Sequence, residues 1–302
     1  MGENTLKTDT FSGFHPAVNL LYFLLVLGFG MFLMHPVCLA ISLAGAVSYS
    51  WYLKGFRAMR FQFRFMLPLL LLTAIINPLF NHQGATILTY LKSGNPLTLE
   101  AIYYGVAAAV MLITVITWFS CCNVVMTSDK FVYLFGRVIP ALSLLLSMTL
   151  RFVPRFHTQI KAVRQAQRCV GRDVSTGNVF ARIRNGITIF SIVVTWALEN
   201  AIQTADSMRS RGYSLPGRTA FSIFRFERRD LAALAAMLAA AGYVIVGSVN
   251  RGIYWKYYPR MGGALTGMFT VSCFVVYFIL CMTPLLINLS EDIKWRFLTS
   301  KI

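Results

Sequence analysis

The run ALTGMFTVSCFVVYFILCMTPLLINL, residues 264–289, contains no Asp, Glu, Lys or Arg. A helix needs about 20 mostly apolar residues to cross the hydrocarbon core of a bilayer, and this run exceeds that. Residues 231–249, 101–120, 65–80, 37–53 and 17–34 are runs of the same kind. The chain of 302 residues is 57% hydrophobic and only 13% charged, where a soluble domain carries about 25%. Its mean hydropathy is +0.62. These features predict an all-α polytopic membrane protein with about six (five to eight) transmembrane helices. Residues 1–16 are polar and the apolar run after them is long enough to stay in the membrane, so no cleavable leader is expected.

The net charge of +17 raises nucleic acid as a partner. The basic residues instead collect in loops and helix ends beside apolar runs, where Lys and Arg mark the cytoplasmic side. No basic face interleaved with aromatic residues is present for base stacking, and no nucleic acid is expected. KGFRAMRFQFR, residues 54–64, reads as a cytoplasmic loop, which also places the N-terminus inside. Residues 81–99 are polar with Gly84, Gly94 and Pro96, and read as extracytoplasmic. Within them ATILTYL alternates β-branched residues and predicts a short strand or hairpin. Pro68 and Pro78 predict a kinked or shortened helix over 65–80. Arg251, Lys256 and Arg260 fall outside by the same count, against the positive-inside rule.

From residue 151 to 229 the chain carries half of its 28 Lys and Arg, against only four acids. This gives three regions: N-terminal transmembrane helices over 1–150, a basic cytoplasmic region over 151–230, and C-terminal transmembrane helices over 231–302. Residues 140–150 are apolar but short for a crossing, and 187–198 read as the apolar half of a long helix against the membrane. Phe152, Phe156, Ile160, Val163 and Val170 share one helical face, with Lys161, Arg164, Arg168 and Arg172 opposite, so residues 151–172 predict an amphipathic helix. A second helix ends in ADSMRSRGYSLPGRT, residues 205–219. Leu198, Ile202, Ala205 and Met208 form its apolar face. Gly212 supplies the left-handed stop and Pro216 reinforces it. Gly171 sits at the corresponding place on the first helix. Arg211 is left at a helix end, offering a planar fork of donors to an acidic groove.

These landmarks, taken in order, resemble the transmembrane T component of energy-coupling factor (ECF) transporters. They are HPAVNLL (15–21), LRFVPRF (150–156), AQR (166–168), ADSMRSRGY (205–213), PGRT (216–219) and FERRDL (226–231). The resemblance covers nearly the whole chain, and the SRGY cluster is its most specific part. It implies a non-catalytic, multi-pass subunit of a prokaryotic plasma-membrane importer for vitamins or metal ions. Two cytoplasmic coupling helices would insert their tips into two ABC ATPase subunits (A and A′), and the membrane part would hold a substrate-binding S component, in contact with membrane lipids. Carried onto this chain, Ser210, Arg211 and Gly212 form the second coupling motif, flanked by Arg209 and Tyr213. The first motif departs from the family pattern. Val170 stands where Arg is expected, leaving Arg168 or Arg172 beside Gly171 as replacements. The resemblance also implies a plastic apolar surface for varied S components, for which Met59, Met66, Met111, Met126 and Met148 are candidates.

Other classes are disfavoured by what the residues lack. No Walker loop, GxxxxGK[ST], occurs, so ATP chemistry must come from another chain. Acids are scattered and the four His lack metal-ligand spacing, so no catalytic residue, metal or cofactor is expected. The six Cys form no CxxC pair and read as buried free thiols. The spans hold almost no ionisable side chain for an ion path. A conventional ABC permease and a lipid-bound scaffold remain the alternatives; a permease would carry one short coupling helix without the RGY tip.

Overall fold

The computed structural model describes residues 9–90, 96–172, 174–175, 178–213, 215, 224–263 and 266–299. Of residues 57–59, 61–63, 136–138 and 140–143 it describes the backbone alone. In chain order the elements are a 3-10 turn Phe11–Gly13, α1 (Pro16–Phe32), α2 (Pro36–Phe80), β1 (Ile87–Tyr90), β2 (Pro96–Thr98) and α3 (Leu99–Val125). Next come α4 (Ser128–Val138), α5 (Pro140–Cys169), α6 (Val179–Ser210), α7 (Arg228–Val249), β3 (Trp255–Lys256), β4 (Gly262–Gly263) and α8 (Met268–Thr299). Two compact units emerge: Met1–Thr127 with Phe224–Ile302, and Ser128–Ile223.

The protein is an all-α membrane protein. Among the described residues five helices are long and apolar enough to cross a membrane: Pro36–Phe56, Leu99–Val125, Val179–Ser210, Arg228–Val249 and Met268–Thr299. Pro16–Phe32 and Arg64–Phe80 are shorter apolar helices. In hydrocarbon a backbone amide has no water to bond, so an apolar run satisfies its own N–H and C=O groups as a helix.

In the first unit, two helices start with the same device. The His15 and His35 side chains accept hydrogen bonds from the backbone N–H of Ala17 (3.3 Å) and Val37 (3.2 Å), and Pro16 and Pro36 occupy the first helical position. Each His-Pro pair therefore caps one orphan donor and needs no donor at the next position. Both His rings are buried.

The expected loop over 54–64 is instead helical. Gly55 alone departs from helical geometry, at φ +71°, and divides α2 into two arms. A positive φ is open to Gly at no steric cost, so the chain reverses without a loop. Pro68 and Pro78 lie inside the second arm, which runs on to Phe80. The expected hairpin forms, with β1 pairing antiparallel to β2.

An aromatic cluster holds the helices together. Phe11 stacks edge-on against Tyr22 at 5.2 Å between ring centroids, and Tyr22 against Trp118 at 6.0 Å. Polar tips are paired inside: Trp118 Nε1 donates to Ser42 Oγ (3.1 Å) and the Tyr22 hydroxyl to the Cys281 carbonyl (3.1 Å). Large aromatic rings give such a core most of its contact area, provided their N–H and O–H find acceptors.

Each end of the unit is tied across the helices. At one end Phe11 N donates to Asn288 Oδ1 (3.1 Å), Asn288 Nδ2 to Asp9 Oδ1 (2.6 Å) and the Tyr49 hydroxyl to Asp9 Oδ2 (3.0 Å). Lys54 bonds Ser120 there as well. At the other end the Tyr257 hydroxyl donates to the Met34 carbonyl (2.8 Å), Asn81 Nδ2 to the Tyr258 hydroxyl (3.0 Å) and Ala85 N to the Pro259 carbonyl (3.0 Å). Burial, with Tyr104 adding to it, pushes the Tyr257 phenol up to about 12. Arg251, Lys256 and Arg260 thus share an end with residues 81–90, away from Lys54.

Asp230 joins the start of α7 to the start of α1. It is 2% exposed and accepts from His15 N (3.2 Å) and Glu227 N (3.0 Å), completing a capping box with Glu227. Asp230→Ala leaves two backbone donors without their acceptor. It should cost about 2 kcal/mol, with Asp230→Asn intermediate. Thermal unfolding of the detergent-solubilised protein measures this, and an unchanged midpoint for Asp230→Ala would contradict the role.

Candidate functional site

In the second unit the sequence changes character but the backbone does not. The apolar stretch 140–150 and the basic stretch after it form the single helix α5, which continues through Pro154 and stops at Cys169 rather than 172. Phe152, Phe156 and Val163 of the expected apolar face are half-buried. Ile160 is 43% exposed and Val170, beyond the last helical residue, is 70% exposed. Phe156 packs edge-on to Trp196 of α6 at 5.8 Å, and the Arg155 guanidinium lies over the same Trp196 ring at 5.6 Å.

α5 and α6 end in the same geometry. In α5, Gly171 N donates to the Arg168 carbonyl (3.0 Å) and Arg172 N to the Gln167 carbonyl (2.9 Å). In α6, Gly212 N donates to the Arg209 carbonyl (3.0 Å) and Tyr213 N to the Met208 carbonyl (3.1 Å). Gly171 and Gly212 stand at φ +77° and +73°. Each is a Schellman closure, in which a left-handed Gly folds the chain back onto carbonyls that the helix leaves open. The residues before the glycines match too: Val170 has φ −90° and ψ 7°, Arg211 φ −84° and ψ 10°. The two ends therefore correspond residue by residue in their closure. Arg168 corresponds to Arg209, Cys169 to Ser210, Val170 to Arg211, Gly171 to Gly212 and Arg172 to Tyr213.

This correspondence places the expected site residues. Arg209, Ser210, Arg211, Gly212 and Tyr213 come together at the end of α6, and Arg168, Gly171 and Arg172 at the end of α5. The five polar and charged side chains Arg168, Arg172, Arg209, Ser210 and Arg211 are exposed, and Tyr213 is half-buried. The Ser210 hydroxyl is turned back onto the Ser207 carbonyl (2.9 Å). Arg168 and Arg209 lie in the last turns, where the negative end of the helix dipole favours a cation by about 0.3–1 kcal/mol. PGRT at 216–219, with Pro216, lies outside the described residues.

A cleft of about 690 Å³ opens beside the α6 tip. Met208, Arg211 and Tyr213 line it from the end of α6 and the turn after it, and Met148, Arg151 and Arg155 from α5; among the described residues none of the lining is acidic. The sequence reading did not join these groups. Met148, Arg151, Phe152 and Arg155 recur at three- and four-residue steps on one helical face, which was the available signal. Of the proposed methionine surface, Met66 and Met126 are buried, while Met111 and Met148 are half-buried; the Met59 side chain lies outside the described residues. Cys169 departs from the expectation of buried thiols, since it is exposed at the α5 tip.

Residues 8–221 match the CbiQ family, described as Cobalt transport protein. The chain belongs to that family. It is similar to proteins named energy-coupling factor transporter transmembrane protein EcfT. The Thermosediminibacter oceani protein is 26% identical over 72% of this chain and 81% of its own length. Those of Lacticaseibacillus paracasei and Listeria monocytogenes are 32% and 35% identical, each over 35% of this chain. The matched segments span 40% of the length of these last two relatives.

The glycine closure is open to direct test. Ala at position 212 must adopt a left-handed conformation, at a cost of about 1–2 kcal/mol, and its Cβ would also stand 3.0 Å from Leu215 Cδ1. Gly212→Ala should therefore fray the last turn of α6 and speed hydrogen exchange at the amides of residues 212 and 213. Exchange as slow as in the wild type would mean that the turn does not depend on the glycine.

Proposed function

We propose that the chain is the membrane-embedded coupling and scaffold subunit of an energy-coupling factor importer in a prokaryotic plasma membrane. In this reading two cytoplasmic ABC ATPases hydrolyse ATP and take the ends of α5 and α6 into their grooves. A separate S component binds the vitamin or metal ion and sits against the membrane unit among lipids. The chain itself carries force rather than chemistry. Ser210, Arg211 and Gly212, with Arg209 and Tyr213, form one docking tip, and Arg168, Gly171 and Arg172 belong to the other.

The observation that supports this best is the pair of long helices with matching, exposed, basic ends. A conventional permease subunit needs one such tip; two identical closures suit two partner sites. The charge distribution agrees, because Lys54, Arg60, Arg228, Arg229, Lys294 and Arg296 flank the apolar runs on the side that the positive-inside rule assigns to the cytoplasm.

Magnitudes decide what Arg211 contributes. As an exposed group it is worth roughly 0–1 kcal/mol in any ion pair. Buried in a partner groove against a carboxylate, its removal would cost about 2–5 kcal/mol. The decisive experiment purifies the tagged chain in mild detergent from its native membrane, wild type beside Arg211→Ala. The wild type should bring two ATPases and a small membrane protein, and the mutant should lose the ATPase seated on α6 by about thirtyfold or more. If the wild type comes out alone and Arg211→Ala changes nothing, the coupling reading is wrong and the basic helices return to lipid binding.

A further inference from the structure

The equivalence of the two helix ends carries a consequence for the partners. Val170 and Arg211 occupy the same backbone position, with near-equal dihedral angles and the same glycine closure after them. Arg168 does not take the missing role, because its counterpart Arg209 is already present on the second tip. Arg172 does not take it either, because it corresponds to Tyr213. The first tip therefore presents an isopropyl group, 70% exposed and flanked by two arginines, where the second presents a guanidinium.

The surroundings differ in the same sense. Arg211 shares its cleft with Arg151 and Arg155, so the second tip concentrates positive charge, and among the described residues no acidic side chain lines that cleft. A groove that receives it must supply carboxylates. The same groove around Val170 would leave a carboxylate desolvated and without its partner, which opposes binding. An apolar socket around Val170 has the reverse preference, since it would strip water from an arginine without pairing it.

Resting on the coupling reading above, we infer that the α5 tip seats Val170 in an apolar socket of its ATPase, chemically distinct from the acidic groove that takes Arg211, so that the two tips have fixed and non-exchangeable partners. Val170 is then a specificity-determining residue. Arg168 and Arg172 form the polar rim around it, where charge sets approach and register more than affinity.

The test uses the full tagged chain purified with its partners from the native membrane, with native mass spectrometry to identify and count the ATPase copies. The variants are Val170→Arg, Val170→Ser, Arg211→Val and the exchange V170R/R211V. Arg at position 170 suits the fold, because Arg already occupies the equivalent position in α6. Val170→Arg should lose the α5-side ATPase about tenfold or more while keeping the other, and Val170→Ser should lose it less. Arg211→Val should lose the other ATPase, and the exchange, which gives each tip the other's side chain, should recover both. Wild-type recovery of both ATPases by Val170→Arg would overturn the inference. So would two copies of one ATPase in the wild-type complex, or an exchange variant that loses both partners. A wild type that recovers no ATPase at all would sink the coupling reading itself, and the socket with it.

Discussion

The constraint on which this structure depends is that every backbone N–H and C=O out of reach of water must be paired. Within an apolar run a helix meets it alone. The difficulty moves to the helix ends, each of which leaves four groups open. The chain meets it with a small set of devices. His15 and His35 cap helix starts ahead of a proline, and Glu227 with Asp230 form a capping box. Gly55 reverses α2 in a single residue. Gly171 and Gly212 fold the ends of α5 and α6 back on their own carbonyls. Two of the four histidines, with Gly171 and Gly212, serve this one requirement directly.

The devices also show what a sequence makes legible. A run such as 264–289 has no charge to be solvated, so a membrane helix is its main reading, and the fold class follows. Residues 54–64 mislead because four basic residues signal exposure to water, and exposure suggests a loop. Water and helix are compatible, and one glycine at positive φ supplies the turn. The backbone does not break at residue 150, for a related reason. Hydropathy changes there, but the hydrogen-bond ladder of α5 has no cause to stop until the glycine closure, and Pro154 interrupts it without ending it.

At the candidate site the sequence told more than it did about packing. Gly212 was readable as a helix stop and Arg211 as its exposed neighbour, because both properties are local. The equivalence of Val170 with Arg211 needed two sets of hydrogen bonds to be compared. The cleft that joins Arg151 and Arg155 to Arg211 needed tertiary structure, since these residues come from two different helices. The buried histidines were readable as packing groups, but their capping role depends on a ring nitrogen reaching one backbone N–H.

A helix that transmits force must be stiff to its last turn. At about 1.5 Å per residue, the 30 residues of α5 and the 32 of α6 give rods of roughly 45 and 48 Å. An ordinary end would fray, because its final carbonyls have no partner in the helix, and motion applied to the tip would be absorbed there. The Schellman closure removes that slack by bonding those carbonyls to the residues that turn back. Gly171 and Gly212 thus have a mechanical role that is independent of what the tip touches. The residue before each glycine is at the C-cap, where its N–H still bonds into the last turn and its side chain is exposed. That position can change from Arg to Val without disturbing the rod, and it is where the two tips differ. On the coupling reading proposed above, stiffness rests with the glycine and partner choice with its neighbour, so a coupling element of this kind could alter its partner while keeping its mechanics.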